Sequence, residues 1–279
     1  MTAATIHDMP WAGDIRALTF DCYGTLIDWE SGILSALGVY FDGHGIPPAP
    51  AEWLALYARF EPEEQAGAYR SYREVLAGVL RRMASHYRTP VARSERDLLA
   101  DTLADWRPFP DTVAALERLH ERYALAVVSN IDDDLFAGTR RHLPDVFAEV
   151  VTAQQVRSYK PAHAHFHEVA ARLRVGAKAI LHVAESLFHD IQPARQLGWH
   201  SVWVNRRSKT MAVGATRGSD ARPDVTVSSL SELAGQLAPA TGAAMVCPVC
   251  GSALVAEKCK VVCRSSACVY RIVMNCAEC

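Results

Sequence analysis

The sequence predicts an α/β protein: a doubly wound, Rossmann-like parallel sheet, a helical insertion after its first strand, and a small cysteine-rich module at its end. Three observations predict this. Short β-rich apolar runs alternate with amphipathic helical stretches, the interval 29–107 carries helical patterns alone, and all but Cys22 of the 8 cysteines fall within 247–279.

The runs RALTFD, YALAVVSN, AEVVTA, AILHVAE, SVWVN and DVTVSSL read as strands, because each is bounded by turn residues and short enough for a buried parallel sheet. Between them TVAALERLHER, AHFHEVAARLR and HDIQPARQLG place apolar residues three or four apart, as crossover helices require. The insertion divides into WESGILSALGVYFDGHG, APAEWLALYARFEPEEQ, YRSYREVLAGVLRRMASHYR and SERDLLADTLADW, four helices expected to lie over the strand ends as a cap. Expected domains are therefore a core of 1–28 and 108–237, a cap of 29–107, a small-residue linker of 238–246 and a tail of 247–279.

With 279 residues, 50% of them hydrophobic, the chain has enough material for a sizeable core. A formal net charge of -2 gives no electrostatic reason to expect nucleic acid or an anionic membrane as partner. No window reaches the roughly 18 apolar residues of a membrane span, and the N-terminus lacks the basic-then-apolar pattern of a secretory signal. A cytoplasmic location is expected. Clustered cysteines in such a compartment point to metal before disulfides.

In an open parallel sheet, ligands bind outside the carboxyl ends of the strands. Asp21 follows the first strand, Ser129 and Asn130 the second, Lys160 the third, and Glu185 with Asp190 the fourth. DxxGT, SN, KP and the acidic pair of ESLFHD, in this order, resemble the four motifs of the haloacid dehalogenase-like hydrolase superfamily, over about residues 14–235. FDCYGTLIDWE and VVSNIDDDLF look most like its type II 2-haloacid dehalogenase branch.

The resemblance implies that Asp21 is a nucleophile forming an aspartyl ester that water later hydrolyses, in a site that orients the carboxylate and excludes water. It implies that Lys160 keeps Asp21 ionised. Thr25 and Ser129 would hydrogen-bond an anionic substrate end or the orienting carboxylate, with Gly24 allowing close approach of the backbone. Ser129 and Asn130 read equally well as helix-capping residues, and Asp132 to Asp134 read as caps outright.

Phosphatases of this superfamily carry a general acid two places after the nucleophile, where this chain has Tyr23. A halide departs without a proton, so Tyr23 points to attack at carbon and joins the substrate-binding candidates. The acid pair points the other way: with Asp21, Glu185 and Asp190 are candidate oxygen ligands for Mg²⁺, or else one of them pairs with Lys160. A tyrosine expected after the lysine is replaced by Phe166, and the Arg expected on an early cap helix has its nearest candidate in Arg59. Trp29, Tyr57, Phe60 and Trp106 are either pocket walls or core. The substrate expected is a small, anionic molecule, such as a 2-haloacid or, in the alternative of a Mg²⁺-dependent phosphatase or phosphonatase-like hydrolase, a phosphate ester or a phosphonate.

His163, His165 and His167, two apart, do not share one helix face, and His182 and His189 flank the fourth motif. In the tail, CPVCG and CRSSAC resemble small bacterial zinc ribbons of the CPxCG type. Cys247, Cys250, Cys263 and Cys268 are the candidate ligands of one structural zinc, with Cys276 and Cys279 as substitutes. Such a ribbon is a docking site for a partner protein, and a non-catalytic binding protein is the remaining reading. A homodimer is a further expectation. Cys22, next to the nucleophile but on the opposite strand face, is expected to be an inert core thiol.

Overall fold

A computed structural model describes residues 5–206, 218–238, 254–257, 260–263 and 271–273. The chain divides into two compact units, Met1–Leu237 and Ala238–Cys279.

The first unit is built on β1 (Ala17–Phe20), β2 (Ala124–Ser129), β3 (Phe147–Thr152), β4 (Ile180–Ala184), β5 (His200–Val204) and β6 (Val225–Val227). They form one sheet in the order β3-β2-β1-β4-β5-β6, with every pairing parallel. β1 and β4 are buried on both faces, which explains their continuous apolar runs. The order reverses between β1 and β4, so a crevice opens beyond their carboxyl ends, where Asp21 and Glu185 fall.

Helices α1 (Trp29–Gly43), α2 (Pro50–Gln65), α3 (Tyr72–His86) and α4 (Leu98–Thr102) follow β1 without an intervening strand. Then come α5 (Thr112–His120), α6 (Asp133–Arg140), α7 (Ala153–Val156), α8 (Ala164–Leu173), α9 (Gln192–Gln196) and α10 (Leu230–Leu237). Beside β2 and β3, Phe166 and Val169 of α8 bury against Ala126, Val128 and Val151. The stretch HDIQPARQLG differs from the single helix expected, since a π-helical turn over Leu187–Ile191 precedes α9. Pro193 has no N–H to continue the α-helical ladder, and the Ser186 hydroxyl accepts the His189 N–H at 3.0 Å, which together favour the wider turn.

α3 is fastened to the sheet by an acid from the other side of the molecule. Asp132, after β2, was expected to cap its own helix; its carboxylate instead accepts the backbone N–H groups of Tyr72 and Arg73, each at 2.9 Å, while α6 receives no side-chain cap from it. Asp132 is buried, so this bond of charge to helix N-terminus is weakly screened. The Tyr159 hydroxyl adds a second tie, donating to the Arg70 carbonyl at 2.9 Å.

In the second unit, β7 (Leu254–Glu257), β8 (Lys260–Cys263) and β9 (Arg271–Val273) form an antiparallel sheet in that order. Cys263 closes β8 and is buried. The other candidate zinc ligands, Cys247, Cys250 and Cys268, and the substitutes Cys276 and Cys279, lie outside the described residues, as does the expected linker beyond Ala238. No helix among the described residues is long and apolar enough to cross a membrane.

Asp132→Ala leaves one buried and one half-buried N–H group of α3 without an acceptor and is expected to lower the unfolding free energy by about 1–3 kcal/mol. Denaturant titration checks this.

Candidate active site

Five segments converge where the strand order reverses, and the first is the turn after β1. Gly24 holds a φ of +95°, a conformation that glycine adopts without strain, and lets the chain double back so that Thr25 faces Asp21. The Thr25 hydroxyl donates to Asp21 Oδ2 at 2.7 Å and accepts the Glu185 N–H at 2.9 Å. The Asp21 rotamer is thus tied to both β1 and β4.

The other oxygen of Asp21 belongs to Lys160. Its Nζ, 2% exposed as a residue, donates to Asp21 Oδ1 at 2.8 Å, to Asp190 Oδ1 at 2.7 Å and to the Val128 carbonyl at 3.0 Å. An ammonium has three protons, so none is left for a ligand. Asn130 fixes the lysine's backbone: its Oδ1 accepts the Lys160 N–H at 2.7 Å and its Nδ2 donates to the Lys160 carbonyl at 3.2 Å. Asn130 is therefore a positioning residue rather than a helix cap.

Asp190 also meets His182 Nε2 at 3.0 Å, while His182 Nδ1 lies 2.9 Å from the Thr19 hydroxyl. One tautomer satisfies both contacts, with Nε2–H donating to Asp190 and the Thr19 hydroxyl donating to Nδ1. Burial works against the Asp190 carboxylate, but Lys160 and His182 outweigh it and hold its pKa at about 2. Burial raises Asp21 above the usual carboxylate range, and Lys160 opposes the rise. Burial works against the Lys160 ammonium, but Asp190 and Asp21 outweigh it and raise its pKa above the usual lysine value.

These groups face a pocket of about 50 Å³, whose walls include Tyr23, Trp29, Glu61, Tyr72, Ser129 and Glu185. The Ser129 hydroxyl is buried and has no hydrogen-bond partner among the described residues. Behind it, His165 Nε2 lies 3.2 Å from the Ser129 carbonyl, and burial drives the His165 pKa down to about 3. This histidine is neutral and braces the loop. The Tyr23 hydroxyl pairs with Thr139 at 2.7 Å and burial pushes its pKa well up, so it is a poor proton donor to a leaving group. Trp29 lines the pocket, Tyr57 is fully buried in contact with it, and Phe166 packs edge-on against His182. Cys22 is buried and its thiol is held well above its ordinary pKa by burial, as an inert thiol should be.

Arg59 is not part of the site. Its side chain is 69% exposed and pairs with Glu63 at 3.6 Å, because it lies off the buried stripe of α2. That stripe, Trp53, Leu56, Tyr57, Phe60, Glu61 and Glu64, carries Glu61 inward instead. An acid recurring at the spacing of an apolar face was the signal available in the sequence. Glu61 Oε1 accepts the Tyr72 hydroxyl at 2.6 Å, Tyr57 and Tyr72 join their hydroxyls at 2.9 Å, and burial pushes the Glu61 carboxyl up to about 7.

Lys160 takes one oxygen from each of Asp21 and Asp190, and among the described residues no three acidic, histidine or cysteine side chains are grouped to hold a metal ion. With both carboxylates already committed to the ammonium, these side chains fit a magnesium ion poorly.

The pattern of the haloacid dehalogenase-like hydrolases matches residues 15–198, and the chain belongs to that family. A relative from Pseudomonas sp. (strain CBS-3), (S)-2-haloacid dehalogenase 2, is 26% identical over 229 residues, covering 79% of this chain and 94% of its own. The L-2-haloacid dehalogenase of Xanthobacter autotrophicus, with chloropropionic acid covalently bound, shares the fold at a TM-score of 0.66, with 22% identity and coverage of 79% and 97% of the two chains. A Bacillus subtilis HAD-hydrolase bound to magnesium gives a TM-score of 0.67 with 19% identity, covering 80% and 98%. Fold likeness by itself thus does not choose the chemistry.

Glu61, raised from 4.5 to about 7, favours the folded state when protonated, and that contribution is lost as pH climbs from about 4.5 through about 7. Glu61→Gln removes the loss while keeping an acceptor for Tyr72. The variant is expected to gain on the wild type, on the order of 1–3 kcal/mol between pH 5 and pH 8, in denaturant titrations at the two pH values.

Proposed function

We propose that the protein is a cytoplasmic hydrolase that cleaves the carbon–halogen bond of a small organic molecule through an ester on Asp21. The observation that carries this reading is the Asp21 carboxylate, each oxygen held by one donor and facing a pocket of about 50 Å³. Held this way it is stripped of bulk water and oriented, which is what a weak nucleophile requires. An Asp21 oxygen attacks the carbon, and the halide leaves with the bonding electrons. Water then adds to the ester carbonyl, releasing an alcohol and restoring the carboxylate. One water is consumed, and one halide and one proton are released. Glu185, on the pocket wall, is the carboxylate assigned to take the water's proton, since Asp190 is committed to Lys160 and His182. Lys160 offsets the negative charge on Asp21 before attack and after ester cleavage. The absence of a carboxylic acid at Tyr23 favours a leaving group that needs no protonation over an alkoxide leaving a phosphoryl group. The curated relative's name, a 2-haloacid dehalogenase, supports the same choice.

Halide release from 2-chloropropionate and 2-chloropropionamide without added metal is expected in the wild type, and a drop of at least about 10³-fold in Asp21→Asn. Phosphate release from an aryl phosphate, dependent on added Mg²⁺ and unaccompanied by halide release, would overturn the reading.

We also propose that Cys247, Cys250, Cys263 and Cys268 hold one structural zinc. Thiolates paired at knuckle spacing, with Cys263 at the end of a short antiparallel strand, support it. Metal analysis is expected to give one zinc per chain, lost in the double variant Cys247→Ser, Cys250→Ser. Retention of zinc there would exclude this ligand set.

A further inference from the structure

The pocket's charges do not suit the acid end of a haloacid. Of the described residues that line it, Lys160 alone carries a fixed positive charge, and its three protons are already donated to Asp21, Asp190 and the Val128 carbonyl. Four lining side chains are carboxyls, Asp21, Glu61, Glu185 and Asp190. Arg59, expected to grip a carboxylate, points to solvent.

In its place the cap presents Glu61, 6% exposed, from the inward stripe of α2. Its orientation is fixed by Tyr72, whose own hydroxyl meets that of Tyr57, so Glu61 Oε1 is held while no second hydrogen bond to the carboxyl is present among the described residues. Ser129 supplies a second, independent polar contact, a buried hydroxyl on the pocket wall with no partner among the described residues. A buried hydroxyl without a partner is costly, and a ligand acceptor relieves it. The wall thus offers an acceptor at Glu61 and a donor at Ser129. A carboxylate ligand has no N–H to give Glu61 and, where Glu61 is ionised, adds a like charge in a poorly screened space.

We propose that Glu61 is a specificity-determining residue that selects substrates whose non-reacting end is an uncharged N–H donor, a carboxamide, its N–H donated to Glu61 and its carbonyl accepting from Ser129. The substrate class is then a small 2-haloamide, converted by the reaction above to the 2-hydroxyamide with release of halide and a proton. This rests on the carbon–halogen reading for the identity of the reacting end alone. The raised Glu61 pKa is consistent with the assignment, since a carboxyl poised near neutrality accepts an amide N–H in either protonation state.

The test separates binding from turnover. Lactamide and lactate, which carry a hydroxyl in place of the halide, are titrated against the wild type and Glu61→Gln by ligand-observed NMR, and halide release from 2-chloropropionamide and 2-chloropropionate is measured in parallel. The wild type is expected to bind lactamide at least about tenfold more tightly than lactate, with the preference shrinking several-fold in Glu61→Gln. Halide released from neither substrate, with that binding preference intact, would remove the carbon–halogen reading and leave this one standing. Lactate bound as tightly as lactamide, no binding of either, or a preference unchanged in Glu61→Gln would overturn it whatever the halide assay shows.

Discussion

The site depends on one buried ammonium. Lys160 sits between Asp21 and Asp190, and removing its charge would leave two carboxylates facing each other away from water. Burying an ion pair gains little stability by itself, because desolvation consumes most of the attraction. The arrangement survives because nearly every remaining bonding position is filled. Val128 takes the third lysine proton, Asn130 clamps the lysine backbone from both sides, Thr25 holds the free oxygen of Asp21, and His182 gives Asp190 a second donor backed by Thr19. Three neighbouring strands contribute to that network, so the sheet's register and the geometry of Asp21 are the same constraint.

A cation fully engaged with its own protein contributes to the pocket as structure and not as a ligand contact. What a small molecule meets is set by the remaining walls: Trp29, Glu61 and Tyr72 from the cap, and Ser129, Glu185 and His189 from the segments after β2 and β4.

The strands were legible because parallel strands, buried throughout in β1 and β4, leave short β-rich apolar runs, and the four strand-end motifs were legible because their chemistry falls where such a sheet binds ligands. Asp190's pairing with Lys160 was one of two readings open in the sequence, since a lysine and a metal ion ask for the same carboxylate. Arg59 failed for a geometric reason: a residue two places from Glu61 on a helix points some 200° away, and the inward stripe was decided by Trp53, Tyr57 and Phe60. Asp132 could be read as a helix cap but not as the cap of α3, because its partners stand 60 and 59 positions earlier in the chain. His165 and His182 gave no local sign of bracing Ser129 and Asp190, which lie on other elements.

Tyr72 links these levels. Its backbone N–H is held by Asp132 at the end of β2, and its hydroxyl reaches Glu61 on α2. The same loop that carries Ser129 and Asn130 continues into Asp132, so one short piece of chain supports the lysine from below and sets the height of the pocket's ceiling from above. The pocket's floor and roof thus share an anchor: Asn130 holds Lys160 and Asp132, two residues on, holds Tyr72.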